Sequence, residues 1–183
     1  LQVGDRIAVQ MPNLLQYPIV VFGAMRAGLV IVNTNPLYTA REMEHQFKDA
    51  GCKALVTLAN FGHLVQEVLP RTGIRYVIIS ELADMLPFPK RVVVNNIVKY
   101  IKKLVPSYHL PTAIPFTQVM KANPSKFKEV TPKPDDIAVL QYTGGTTGVS
   151  KGAMLTHRSI TSNMLQTHAF LSTALEAGRE TMV

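Results

Sequence analysis

Between Leu140 and His157 the chain reads LQYTGGTTGVSKGAMLTH. Thr143, Gly144, Gly145, Thr146, Thr147 and Gly148 stand in one unbroken run, and Lys151 and Gly152 follow closely. Such residues together suit a polyphosphate. Glycines admit positive φ and let backbone approach a ligand closely. Successive amides in such a turn can converge on an anion. Threonine hydroxyls add donors, and a lysine ammonium supplies a mobile point charge for phosphate oxygens. Lys151 is the residue expected to carry most of that chemistry.

The flanks decide what kind of phosphate loop this is. Ile137–Gln141 (IAVLQ) reads as a buried strand, Ala153–Leu155 as a short second strand, and Thr156 as an N-cap for a helix after it. The pattern G-x-x-x-x-G-K-[ST] fails, because Gly148 stands two residues too early for Lys151 and Gly152 takes the Ser/Thr place. No G-x-G-x-x-G is present either. A hairpin turn that binds nothing needs only one or two glycines, fewer than occur here.

TGGTTGVSKG resembles the phosphate-loop signature of adenylate-forming enzymes, the acyl-CoA synthetase and luciferase superfamily, written [ST]-[ST]-G-T-T-G-x-P-K-G. It departs at Gly144, where Ser or Thr is usual, and at Ser150, where Pro is usual. Both departures are similar to the bacterial long-chain fatty-acid–CoA ligases. The stretches GDRIAVQMPN and MRAGLVIVNTNPLYTAREMEHQFKDAG resemble the opening of the same enzymes, where they serve mainly as scaffold.

The elements that must position the loop are legible upstream. Arg6–Gln10 reads as a buried strand. Leu14–Val32 is long and apolar enough to suggest a membrane span, but Pro18, Arg26 and Gly28 argue for a buried helix ending near Ala27 and a strand over Leu29–Val32. Thr39 and Glu42 form a capping-box signature for the helix REMEHQFKDA, stopped by Gly51. Lys53–Leu58 reads as a strand, Asn60 as the cap of a helix over Phe61–Leu69, and Arg75–Ser80 as a further strand. This alternation predicts an α/β fold, part of a doubly wound, mainly parallel sheet with flanking helices. His45 and Asn35 read as a solvated helix position and a turn residue. Met154, Met164 and Leu165 read as core.

Charge is unevenly spread. Of 19 Lys and Arg, eight lie between Met85 and Lys128, where no acidic residue occurs; the others nearly cancel the 12 acids. The basic balance therefore belongs to one segment rather than to a nucleic-acid reading element, and no nucleic-acid partner is expected. Within it, Lys90–Val105 reads as the one helical stretch, with Val94, Ile97, Val98, Ile101 and Leu104 on one stripe and Lys99, Lys102 and Lys103 largely off it. Such a helix either docks its stripe on the sheet or lies on an anionic membrane surface. Three parts follow: an α/β scaffold over 1–84, a basic, proline-rich connection over 85–134, and the loop hairpin with its helix over 135–183.

The single cysteine, Cys52, cannot form an internal disulfide, so a reducing compartment is the default. His63, His109 and His168 show no ligand or triad spacing, and no metal-binding residue is assigned. Leu1 and the strand-like ETMV ending suggest a fragment of a large N-terminal ATP-binding domain.

The resemblance implies an AMP-forming long-chain fatty-acid–CoA ligase as the parent, using ATP, Mg2+ and CoA. In it Thr143, Gly144, Gly145, Thr146, Thr147, Gly148 and Lys151 would hold the nucleotide phosphates, with Lys151 catalytic. It further implies a cytoplasmic enzyme; the membrane-surface reading of 90–105, the less favoured of the two readings of that helix, would place it peripherally on the inner face of the membrane, and a homodimer is one arrangement. The fragment alone is expected not to turn over. Two other readings stay open: an adenylate-former acting on an aryl acid or an acyl carrier protein, and a non-catalytic nucleotide or membrane-surface binding module.

Overall fold

Apolar residues in the first strands run almost without interruption, as they must when a sheet is covered on both faces. The computed structural model, which describes residues 1–143 and 150–172, shows why. β1 (Arg6–Gln10), β2 (Val30–Asn33), β3 (Cys52–Leu58), β4 (Tyr76–Ser80), β5 (Ile114–Pro115) and β6 (Ile137–Thr143) are parallel, and β7 (Lys151–Thr156) runs antiparallel to β6. Their spatial order is β5-β4-β3-β1-β2-β6-β7.

Alternate strand residues feed two cores. Ala8, Val32, Leu55 and Val77 face α2 (Ala40–Asp49) and α3 (Gly62–Val68), burying Met43, Phe47, Val65 and Val68. Ile7, Val9, Ile31, Val56 and Val139 face the opposite side, covered by α1 (Gln16–Arg26). The chain leaves β1 toward β2 and then returns past β1 to β3. Right-handed crossovers in opposite directions put their helices on opposite faces, so the sheet is doubly wound.

Local signals explain most boundaries. The capping box is formed: Glu42 N donates to Thr39 Oγ1 (3.4 Å) while Thr39 N donates to Glu42 Oε2 (2.8 Å). α2 ends at Gly51, whose φ of +62° favours glycine. The apolar stretch 14–32 divides into the 11-residue α1 and β2, and among the described residues no helix is long and apolar enough to cross a membrane. Pro18 sits in the first turn of α1, where its missing N–H has no intrahelical acceptor to lose. Gln16 beside it is buried and donates to Glu81 O at 3.1 Å.

Three expectations need correction. Asn60 does not cap α3; a 3₁₀ turn over Ala59–Phe61 leads into that helix, and Asn60 Nδ2 instead donates to Leu104 O (2.8 Å). The basic helix is shorter than 90–105. α4 (Lys90–Asn96) passes into a π turn over Ile97–Ile101 and stops before Lys103, whose φ is +52°. That turn shifts the stripe: Asn95 and Val98 face inward, whereas Ile101 is 71 % and Leu104 56 % exposed. Asn95 is held by accepting from Ala83 N and donating to Glu81 Oε2. The segment also contains a second helix, α5 (Phe116–Val119), directly after edge strand β5. Finally, Met154, Met164 and Leu165 are not core. β7 is an edge strand, α6 (His157–Leu171) buries no residue, and all three side chains are exposed.

Candidate functional site

Because β6 is parallel to β2, its last residue, Thr143, stands at the carboxyl edge of the sheet, where α/β proteins place their ligands. β7 begins directly opposite. Thr143 pairs with Lys151, and Tyr142 with Gly152. Residues facing each other across an antiparallel pair point to the same side, so Thr143 and Lys151 share one face of the hairpin, both exposed. The other expected phosphate residues, Gly144, Gly145, Thr146, Thr147 and Gly148, lie outside the described residues. Thr156 caps α6, accepting from Ser159 N at 3.2 Å, with His157 as the helix's first residue.

Below Thr143 on the same face, carboxamides tie the strand ends together. Asn33 Nδ2 donates to Gln141 Oε1, and Tyr17 Oη donates to Asn33 Oδ1, each at 2.8 Å. Gln46 Nε2 donates to the Asn33 carbonyl, also at 2.8 Å. Tyr17, Asn33 and Gln141 border a cleft of about 480 Å³ whose lining also includes Asn13, Asn35 and Tyr142. Asn35 is the turn residue expected from the sequence, accepting from Leu37 N at 2.9 Å.

The other face of the hairpin leans on α2. Tyr142 is buried, and its hydroxyl donates to Asp49 Oδ2 at 2.5 Å. Burial first, and then the adjacent Asp49 carboxylate, hold the Tyr142 phenol well above the usual tyrosine range, so it remains a donor. Across the ladder, a Cβ on Gly152 would stand 2.8 Å from Tyr142 Cε2. The glycine after Lys151 thus makes room for the ring that reaches Asp49. His45 is half-buried rather than solvated, with Nε2 3.3 Å from Ser150 O. A carbonyl only accepts, so Nε2 carries the proton of that bond. Sequence reading missed His45, Asp49 and Tyr142 as a group; the one signal available was the i, i+4 spacing of the first two.

Among the described residues no group of three or more His, Cys, Asp or Glu is placed to hold a metal ion. Asp49, the carboxylate that reaches the hairpin, is already bonded to Tyr142.

Comparison with known proteins agrees with this geometry. Over 185 aligned residues the chain is 50 % identical to the long-chain-fatty-acid–CoA ligase of Escherichia coli O6:H1, covering all of this chain and 33 % of that protein. The chain thus spans about a third of the length of the curated relatives it matches. Among solved structures, a long-chain-fatty-acid–CoA ligase from Archaeoglobus fulgidus superposes with a TM-score of 0.70 at 26 % identity, over 96 % of this chain and 29 % of that one. ATP-bound MatB from Rhodopseudomonas palustris superposes with a TM-score of 0.66 at 25 % identity, over 93 % of this chain and 28 % of that one. The model of the AMP-binding enzyme family matches residues 1–182, and the chain belongs to that family.

Proposed function

We propose that this chain serves an AMP-forming long-chain fatty-acid–CoA ligase and supplies its phosphate-binding hairpin. The observation that carries this reading is the Thr143–Lys151 pair at the carboxyl edge of the sheet, in a chain half identical throughout to a relative of that name. In this reading the fatty carboxylate attacks the α-phosphorus of ATP. A carboxyl oxygen–phosphorus bond forms, the bond to the bridging oxygen breaks, and pyrophosphate leaves. The CoA thiol, giving up its proton, then attacks the acyl carbon and releases AMP. Lys151 and Thr143, with Gly144, Gly145, Thr146, Thr147 and Gly148, bind the β- and γ-phosphates and offset the charge that builds as pyrophosphate departs. Such pre-set electrostatic stabilisation is the largest contribution a loop of this kind can make. Mg2+ belongs to this reading as the nucleotide's counter-ion, and no step is assigned to it.

Acid-dependent ATP–pyrophosphate exchange by the full-length enzyme tests the proposal, over acids from acetate to oleate plus coumarate. Exchange should peak at long chains and fall about 100-fold in Lys151→Ala, the size expected for one preorganised transition-state donor. A peak at coumarate would keep the chemistry and replace the substrate. No exchange with any acid would refute the reading.

A second element of the proposal concerns α4 and the turn after it. Ile97, Ile101 and Leu104 are exposed beside Lys99, Lys102 and Lys103, which suits contact with an anionic lipid surface on the cytoplasmic side. The uncovered β7–α6 surface, with Met154 and Met164, is assigned to further parts of the enzyme.

A further inference from the structure

One face of α2 touches β6 near its end and the residue just before β7, on either side of the hairpin's loop. Asp49 accepts from Tyr142 Oη on β6, one residue before Thr143, and His45 donates to the carbonyl of Ser150, one residue before Lys151. His45 and Asp49 are four apart on a helix and therefore neighbours on its surface. The helix is itself fixed at its start by the Thr39–Glu42 capping box and along its length by buried Met43 and Phe47. It is a rigid support, and neither His45 nor Asp49 is needed to bury it: Asp49 is exposed and His45 half-buried.

The two contacts answer different needs. Tyr142 precedes the ligand residues directly, so the direction of its side chain sets the twist with which β6 presents Thr143. The Ser150 carbonyl stands just before β7 and fixes where Lys151 begins. Both strands could pair through the backbone alone, as β6 and β7 do along their length. The extra bonds to α2 add a fixed position relative to the parallel sheet.

We propose that His45 and Asp49 are positioning residues that hold the hairpin's two strands in register with the sheet and so set the affinity of Thr143 and Lys151 for nucleotide phosphates. This rests on the phosphate-binding reading above. Small displacements of a positioned charge are costly, about 100-fold per ångström in unfavourable cases. Loss of one support strand should therefore act on ATP more than on the other substrates.

The test is steady-state kinetics of the full-length enzyme with Asp49→Ala, Asp49→Asn, His45→Ala, His45→Gln and Tyr142→Phe, alongside Lys151→Ala. Tyr142→Phe keeps the ring on Gly152 and removes only the hydroxyl, so it folds if any variant does. Asp49→Ala, His45→Ala and Tyr142→Phe should each raise the KM for ATP about five- to tenfold, with KM for fatty acid and CoA within about twofold. Asp49→Asn and His45→Gln keep an acceptor and a donor respectively and should recover most of the loss. Asp49→Ala combined with Tyr142→Phe should do no more than either alone, because both break one bond. An unchanged KM for ATP in these variants, or an equal fall in kcat with all substrates tracking lowered thermal stability, overturns the positioning role. Failure of the underlying reading shows separately, as wild-type enzyme without acid-dependent exchange or as Lys151→Ala with full activity.

Discussion

Gly152→Ala is the sharpest probe of how the hairpin is built. No left-handed backbone requires glycine there, so the penalty must come from space alone. The added Cβ would lie 2.8 Å from Tyr142 Cε2 and 3.0 Å from Cζ. Relaxed carbon contacts lie at about 3.5–4.0 Å, so one partner must move by roughly 0.7 Å or more. Tyr142 cannot swing freely, because its hydroxyl is bound to Asp49 and its ring is buried. Either the overlap stays, at about 1–3 kcal/mol for overpacking, or the ring moves and the bond to a charged acceptor is lost, at about 1.5–3 kcal/mol. The cheaper route sets the cost, near 2 kcal/mol. Urea unfolding of Gly152→Ala in the wild-type and Tyr142→Ala backgrounds measures it. Vacating the ring should bring the penalty below about 0.5 kcal/mol, a coupling of about 1.5 kcal/mol. An equal penalty in both backgrounds would refute the argument, since the glycine would then be required for something other than Tyr142.

Two other expectations rest on burial and on surface charge. Cys52 is fully buried and its thiol is pushed up to about 12, mainly by burial, from about 8.5 in the unfolded chain. Between those values the folded state holds a proton that the unfolded state has lost. Stability from this group is therefore complete below about pH 8.5 and falls by about 1.4 kcal/mol per pH unit above it. The urea midpoint of wild type should drop more steeply from pH 8 to pH 10 than that of Cys52→Ala, and equal slopes would contradict the assignment. For the basic turn, replacing Lys99, Lys102 and Lys103 by Gln should weaken sedimentation with anionic liposomes by roughly 100-fold, at about 1 kcal/mol per lysine; binding unchanged by those substitutions, or equal on neutral vesicles, would exclude the electrostatic contact.

Much of the sheet was readable because its signals are local. Arg6–Gln10 and Lys53–Leu58 are apolar runs bounded by turn residues, and α2 carries both its start, Thr39 with Glu42, and its stop, Gly51. The failures share a cause as well. Asn60 has the right type for a cap, but its side chain is claimed by Leu104, 44 residues away. Asn95 stands off the apolar stripe that the sequence assigns to this helix. It is instead the residue that docks it, through Ala83 and Glu81, and this turns the apolar stripe outward. Periodicity gives a helix its stripe but does not say which neighbour supplies the hydrogen bonds that decide its facing.

The site divides along the same line. Residues 143–152 point to phosphate chemistry in the sequence reading because glycine, threonine and lysine at that density suit a polyphosphate, and that reading is the one proposed for the hairpin. Their support is spread over three separate segments: His45 and Asp49 on α2, Asn33 at the end of β2, and Tyr17 on α1. None of these is unusual in its own stretch of sequence. Each acquires meaning only when the crossover from β2 to β3 lays α2 against the hairpin, and when the parallel pairing of β2 with β6 brings Asn33 beside Gln141. A loop can bind phosphate wherever its amides converge, but it binds at a fixed place relative to a reacting carboxylate only if both its strands are anchored. On the phosphate-binding reading proposed for this hairpin, that anchoring is what the loop motif alone does not encode.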